Sequence, residues 1–234
     1  MSLNSVFDSP ESKRRHVARL FATIADRYDL ITRVLSYGQD RRWKARLIRE
    51  ARIGAGDVVL DLACGTGDLA RLASACGARQ VFGLDLTPRM LFLARPQSTE
   101  IRYVAGDMCA LPLAARSVDV VTTGYGLRNV PDLDRAIVEV ARVLKPGGRL
   151  LSLDFNRPDN ALLRSCFLAY LTIVGGALGW VLHGDPDTYR YIPASIRRYP
   201  GAHGVAARLS AHGFTNVRVV PLLYGLMSLH CASR

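Results

Sequence analysis

A chain of 234 residues that is 49% hydrophobic and 22% charged can bury a substantial core, which excludes a disordered chain. Its 31 Lys and Arg against 20 Asp and Glu leave a formal charge of +11, which suits nucleic acid, an anionic membrane or an acidic substrate. The arginines are scattered (Arg14/Arg15, Arg41/Arg42, Arg197/Arg198) with no interleaved aromatic run, so no nucleic-acid partner is expected.

The N-terminal stretch to Phe21 is charged early and lacks an apolar h-region. It therefore reads as no secretory leader, and the expected location is the cytoplasm. Val17, Leu20, Phe21 and Ile24 form a helical stripe in a segment, Ser12 to Glu50, that breaks near Ser36-Tyr37-Gly38. Residues 1–53 are expected to form a helical cap. After a turn at Gly54–Asp57, strands are expected at Val58–Leu62, Gln80–Leu84, Ile101–Ala105, Val118–Thr122 and Arg149–Phe155. Helices are expected at Asp68–Ala75, Pro88–Ala94 and Asp132–Leu144, the last stopped by Lys145-Pro146-Gly147-Gly148. Short apolar strands alternating with helices imply a mostly parallel α/β sheet covered on both faces, over residues 57–156.

From Ala161 to Leu182 the chain is apolar, and after Arg164 it runs about 18 residues without a charge, the lower edge of membrane-spanning length. It also contains Gly175, Gly176 and Gly179, which weaken a helix in water. We expect a lid helix in an insertion, residues 157–203, rather than a span. An apolar substrate tail, a second copy in a homodimer, or transient docking on the inner face of an anionic membrane would each cover it. Residues 204–234 then read as a closing helix, Gly204–His212, and two strands, Thr215–Val220 and Leu222–Cys231, with only Pro221 between them. All of this makes one doubly wound domain of seven strands with an antiparallel edge. The five cysteines are odd in number and form no C-x-x-C pair, so they read as buried free thiols in a reducing compartment. The five histidines build no ligand cluster, and no metal is expected.

The segment Val58–Ala70 is a strand, a glycine turn and a helix start, the place where an open α/β sheet binds a nucleotide. Gly65-x-Gly67-x-x-Ala70, with Asp85 about 20 residues on, also satisfies the dinucleotide pattern, so a nicotinamide or flavin oxidoreductase stays open as an alternative. Carboxylates ending the first three strands favour another ligand. Asp61 would repel a pyrophosphate but attract the sulfonium and methionyl group of S-adenosylmethionine. Asp85 can accept from both ribose hydroxyls. Asp107 can accept from the adenine amino group, with Met108 supplying an amide and an apolar flank. Leu86, Gly67 and Gly124 complete the expected cofactor contacts. Tyr125, Arg128 and Asn129 follow the fourth strand and must share that open face.

These motifs resemble those of the C-methyltransferases of ubiquinone and menaquinone biosynthesis. The resemblance is carried by Tyr28–Lys44, the D-L-A-C-G-T-G-D loop, G-L-R-N-V-P-D (Gly126–Asp132), Arg142–Leu150, and a late stretch from Asp187 to Ile196. Three residues depart from it: Thr32 stands in place of the usual Asn, Asp40 in place of a His found in one branch, and Gly124 in place of a common Ser. The resemblance implies a class I S-adenosylmethionine methyltransferase fold, with S-adenosylhomocysteine as product and a lipophilic quinol as substrate. It also implies cofactor contacts from Gly65 and Thr66, and a substrate site lined by Tyr28, Tyr125, Asp187, Tyr189 and Arg190, with Arg128 and Asn129 as catalytic residues. An aromatic carbon becomes nucleophilic when a neighbouring ring hydroxyl ionises, and Arg128 would stabilise the resulting phenolate. O- or N-methyl transfer to another small molecule and a non-catalytic binding module are the remaining readings.

Overall fold

The computed structural model describes residues 4–234; residues 1–3, where the stretch read for a leader begins, lie outside the described residues. The strands are β1 (Val58–Leu62), β2 (Gln80–Asp85), β3 (Arg102–Ala105), β4 (Val118–Gly124), β5 (Leu144–Phe155), β6 (Thr215–Leu222) and β7 (Met227–Ser233). They form one sheet in the order β3-β2-β1-β4-β5-β7-β6. The first five pair in parallel, while β7 runs antiparallel to both β5 and β6. Side chains alternate across a strand, so Val59 joins one core with Val81, Val120 and Leu151. Its neighbours Leu60 and Leu62 join a second core with Leu84, Val121 and Leu150. All five β1 residues are buried, as a strand covered on both faces requires.

The helices are α1 (Pro10–Ile24), α2 (Tyr28–Leu35), α3 (Asp40–Ala51), α4 (Asp68–Ala75), α5 (Pro88–Ala94), α6 (Leu133–Val143), α7 (Ala161–His183), α8 (Tyr191–Arg198) and α9 (Gly201–Ala211). Ser9 caps α1, accepting from the Ser12 amide ahead of Pro10, and Asp132 caps α6 by accepting from Arg135.

Four sequence expectations need correction. The Lys145–Gly148 stretch is the first part of β5 rather than a loop, entered through a register shift between Val118 and Val120. The boundary placed at 203/204 falls inside α9. Pro221 lies within β6, opposite Ser228, and the chain instead turns at Leu223–Leu226 with Tyr224 at φ +55°. Because β6 is an edge strand, a residue without an amide hydrogen is tolerated there. Finally, Cys76 and Cys166 are exposed; Cys64 and Cys109 are buried, and all five thiols are free.

Helix α7 explains its own glycines. Asn160 caps it by accepting from the Leu163 amide, and it runs 23 residues to Gly184. Phe167, Leu168, Leu171, Gly175 and Gly179 face the body of the protein. The chain then doubles back, and its backbone lies directly on the helix. A Cβ on Gly179 would stand 2.5 Å from the Asp185 carbonyl oxygen, and one on Gly175 would stand 3.2 Å from Tyr189 Cβ. These two glycines admit a returning backbone. Gly176 is different, with nothing nearer to such a Cβ than the Pro186 carbonyl at 3.9 Å. Gly176→Ala is therefore expected to raise stability by up to about 1 kcal/mol through helix propensity. Gly179→Ala should lower it, and thermal melts of the two variants check this. Equal melting shifts would contradict the packing argument.

Candidate active site

The parallel strands all end on one edge, so the loops following β1 to β4 converge there. One space at this edge is a cleft lined by Leu84, Leu86, Gly106, Asp107, Met108 and Gly126, with Arg14 and Val17 of α1 across from them. It is close-built: a Cβ on Gly126 would meet Thr123 Oγ1 at 2.4 Å and Ala63 Cβ at 2.9 Å. Asp107 sits at the rim, its Oδ2 3.1 Å from the half-exposed Arg14 Nε and its Oδ1 accepting from the Cys109 amide at 2.8 Å.

Asp85 and Asp61, at the ends of β2 and β1, are buried and do not themselves line this cleft. Asp85 accepts from the Gly65 amide through Oδ2 and from the Thr87 amide through Oδ1, both at 2.8 Å. Burial raises its pKa, partly offset by those amides. The Thr87 side chain bonds it as well, so Asp85 first pins the β1 loop to the β2 loop, with acceptor capacity left for a further donor. Asp61 is 1% exposed; Thr122 donates to its Oδ1 at 2.9 Å, while Oδ2 has no partner. Burial pushes Asp61 up to about 7 against the pull of the Thr122 hydroxyl. Thr66 donates instead to Asp29 at 2.9 Å, tying the glycine loop to α2, and Gly67 caps α4 at φ +89°. Gly65 faces Tyr28, whose Cε1 is 3.7 Å from the position a Cβ would take. Gly124 ends β4 against Leu69.

The second space is an apolar cavity beneath α1 and α2. Phe21, Ile24, Tyr28, Ile31, Phe155 and Tyr189 line it, and Tyr125, Arg128, Asn129 and Tyr191 also face it. Arg128 is buried. Its Nε meets Asp154 Oδ1 at 3.3 Å, its Nη1 lies 3.3 Å from Asn129 Oδ1 and also donates to Ser195, and its guanidinium lies over the Phe155 ring at 5.2 Å. Asp154 is fully buried and also accepts from the Arg128 and Phe155 amides. Burial raises its pKa, with Arg128 opposing. The Arg128 charge therefore already has a counter-ion. Asn129 donates to the Tyr125 carbonyl at 2.8 Å and borders both the cleft and the cavity.

Beside the cavity, Tyr125 Oη donates to Asp40 Oδ1 at 2.6 Å, and Lys44 Nζ bridges Asp40 Oδ2 at 2.7 Å and Asp68 Oδ2 at 2.8 Å. Burial alone would lower the Lys44 pKa, but Asp40 and Asp68 outweigh it and raise it.

Asp187 and Arg190 do not belong to this site, contrary to the expectation. They pair with each other at 3.0 Å and stand 60% and 58% exposed. The tight turn Pro186–Tyr189, capped by Asp185, sends Tyr189 inward and leaves both charges outside. Tyr189 bonds His183 Nε2 at 2.9 Å. Tyr191 lines the cavity with an unpartnered hydroxyl. Sequence reasoning missed Asp154, the partners of Asp40, and the wall residues Phe21, Ile24, Ile31 and Phe155. Of these, only the helical stripe containing Phe21 and Ile24 left a signal, and it read as one face of a cap helix.

Residues 9–234 match the model of the ubiE/COQ5 methyltransferase family. The chain is 38% identical over 228 residues to the ubiquinone/menaquinone biosynthesis C-methyltransferase UbiE of Rubrivivax gelatinosus, covering 97% of this chain and 90% of that protein. It is 38% identical over 220 residues to the demethylmenaquinone methyltransferase of Thermus thermophilus, covering 92% and 100%. Among solved structures, an S-adenosylmethionine-dependent methyltransferase of Thermotoga maritima aligns with a TM-score of 0.68 at 17% identity, over 93% of this chain and 99% of that one. One from Mesorhizobium loti aligns at 0.60 and 21%, over 81% and 96%. These two likenesses establish the class I methyltransferase fold.

A carboxyl group whose pKa is raised by folding binds its proton more tightly in the folded state. Its contribution to stability is then lost as pH rises from the ordinary carboxylate range, near about 4. For Asp61 that window runs up to about 7. The isosteric Asp61→Asn variant should therefore melt above the wild type at pH 8, with the gap closing toward pH 5. A gap that does not change with pH would show that Asp61 carries no such strain.

Proposed function

Because the chain belongs to the ubiE/COQ5 methyltransferase family, we propose that its apolar cavity holds the ring of a reduced, lipophilic quinone precursor against a cleft that holds S-adenosylmethionine. The activity is S-adenosylmethionine-dependent C-methylation of a quinone ring. The observation that carries the assignment of the two spaces is Asn129, a single buried residue bordering both.

The cleft fits the cofactor by its donor set. Leu84, Leu86, Met108 and Val17 would flank a flat ring, and Asp107 would accept from its amino group in place of exposed Arg14. Behind the cleft, Asp85 offers its remaining acceptor capacity to a hydroxyl, and Asp61 has a buried oxygen with no partner. When bound, S-adenosylmethionine supplies an electrophilic methyl group, leaving placement and electrostatics to the protein.

The cavity supplies the placement. Phe155, Ile31 and Tyr189 hold a ring in an apolar slot, which keeps water from the reacting carbon. Arg128 stabilises negative charge on a ring oxygen. Asp154 neutralises part of its charge, but Nη2 has no hydrogen-bond acceptor among the described residues and remains a donor. Its guanidinium is too basic to take the proton. The substrate is therefore the hydroxyl form, since an oxidised ring is electron-poor at carbon. Both demethylated naphthoquinols and polyprenyl benzoquinols satisfy this chemistry. Labelled methyl transfer under anaerobic conditions should occur with reductant and fall to near background without it. Equal rates on oxidised and reduced substrate would defeat the phenolate reading.

The outward side of α7 supports a peripheral position on the cytoplasmic face of an anionic membrane. Leu162, Ile173, Trp180 and Val181 are each about 70% exposed, and α7 carries no Asp, Glu, Lys or Arg after Arg164. The helix has the length and hydropathy of a membrane span, yet only 28% of its most apolar window is buried in the protein. Alongside it, exposed Leu30, Val34 and Tyr37 of the α2 region extend the apolar surface, with Tyr37 stacked on Tyr170 at 4.7 Å. A lipophilic substrate and a charge of +11 suit that surface. The protein should sediment with anionic vesicles at low salt, and Trp180→Glu should abolish this while leaving turnover of a tail-less substrate unchanged. A doubled mass in light scattering, with no vesicle binding, would give this face to a second copy instead.

A further inference from the structure

Ionising a quinol hydroxyl inside the apolar cavity requires a place for its proton. The groups facing the cavity offer few. Arg128 is permanently cationic. Asp154 behind it is sealed, both oxygens already holding backbone amides and one also Arg128 Nε. Tyr189 leads to His183, but both stand on the lid and its return rather than on the loop after β4 that carries Asn129. Tyr125 is the remaining route with a base attached. Its carbonyl accepts from Asn129, and its hydroxyl donates to the buried Asp40 carboxylate at 2.6 Å. From Asp40 the chain of contacts continues through Lys44 to Asp68, whose side chain is 34% exposed. A hydrogen-bonded path thus joins the cavity to the protein surface.

Resting on the reading of the cavity as the quinol site, we infer that Asp40, acting through the Tyr125 hydroxyl, receives the proton of the substrate's ring hydroxyl. As the quinol O–H bond breaks, Tyr125 Oη takes that proton and passes its own to Asp40 Oδ1. The electron pair of the broken bond stays on the ring oxygen and enriches the ring carbon. One negative charge moves from the carboxylate to the ring beside Arg128, and nothing is oxidised or reduced. Burial and the Asp40 charge hold the Tyr125 pKa well above the ordinary phenol range, so Tyr125 relays a proton without resting as an anion. The groups facing this pair are Lys44 on the same helix, Tyr28 on α2, Asp68 on α4, and Asp154 beyond Tyr125.

The test is the pH profile of kcat for full-length protein with a reduced demethylated naphthoquinol, after S-adenosylhomocysteine affinity and melting temperature have been measured for each variant. Asp40→Asn should lower kcat at pH 7 by about 100-fold or more, the usual range for a general base. It should leave cofactor affinity within twofold, and its rate should climb with pH as the quinol ionises unaided. Asp40→His restores a base, so it should recover much of the rate, with an acid limb in the imidazole range near about 6.5. Tyr125→Phe should share the Asn phenotype. A loss in Asp40→Asn that is uniform across pH, or no better rate in Asp40→His than in Asp40→Asn, would reduce Asp40 to a structural role and overturn the inference. The same is true if His183→Gln, rather than Asp40→Asn, produces the pH-dependent loss. Failure of the wild type to methylate any reduced quinol would instead overturn the reading of the cavity itself.

Discussion

A lysine ammonium buried between two carboxylates holds this protein's working parts together. Lys44 is only 8% exposed on its side chain and contacts Asp40 on its own helix and Asp68 at the start of α4. Such a charge is tolerable only while both partners stay in place, and removing one partner of a buried pair typically costs about 3–5 kcal/mol. The cap helix α3 is thereby locked to the helix that follows the glycine loop. Asp40 in turn holds Tyr125, so the same cluster sets one wall of the cavity. Two further ion pairs of the cap are half-exposed, Arg14 with Asp107 and Arg89 with Asp26. Exposed pairs contribute little, so among the ion pairs of the cap the buried cluster on α3 holds most firmly.

Helix α1 nevertheless matters to both spaces. Arg14 and Val17 face the cofactor cleft, while Leu20, Phe21 and Ile24, one to two turns later, face the cavity. One amphipathic stripe thus walls both spaces, the proposed cofactor cleft and the proposed substrate cavity. Lys13, on the same helix, donates to the carbonyls of Arg128 and Val130, so the loop carrying Arg128 and Asn129 is held from above as well as from the sheet. Burial, followed by the Arg128 charge, lowers the Lys13 pKa to about 8. The cofactor side is built almost wholly from strand ends, whose positions follow from the parallel sheet. The substrate side is assembled from the cap, the lid and the end of β5, elements far apart in sequence.

The lid shows how backbone packing places a side chain. Gly175 and Gly179 lie one turn apart on α7 and leave room for residues 185–189 to run against the helix. That close approach turns Tyr189 into the cavity and lets α8 bring Ser195 to Arg128. The uncharged face of α7 on the other side is left to the surroundings.

Much of this was determined by local pattern. The alternation of short apolar runs with helical stripes defined a parallel sheet because period and burial are coupled along a single element. Carboxylates at three strand ends marked the cofactor edge because parallel strands must all finish on the same side. The resemblance of the glycine loop and of Gly126–Asp132 located Arg128 and Asn129. Which groups pair across the chain was decided only by tertiary structure. Asp40 and Tyr125 are 85 residues apart, and nothing in either neighbourhood announces the bond. Asp154 reads as one residue of an apolar strand until Arg128 folds over it. Within the stretch Asp187–Tyr191 the resemblance implied substrate roles for Asp187, Tyr189 and Arg190, yet only Tyr189, joined by Tyr191, lines the cavity, while Asp187 and Arg190 face solvent. The reason is geometric: a tight turn decides which side chains point inward, and its orientation depends on the two glycines of a helix it meets only after folding.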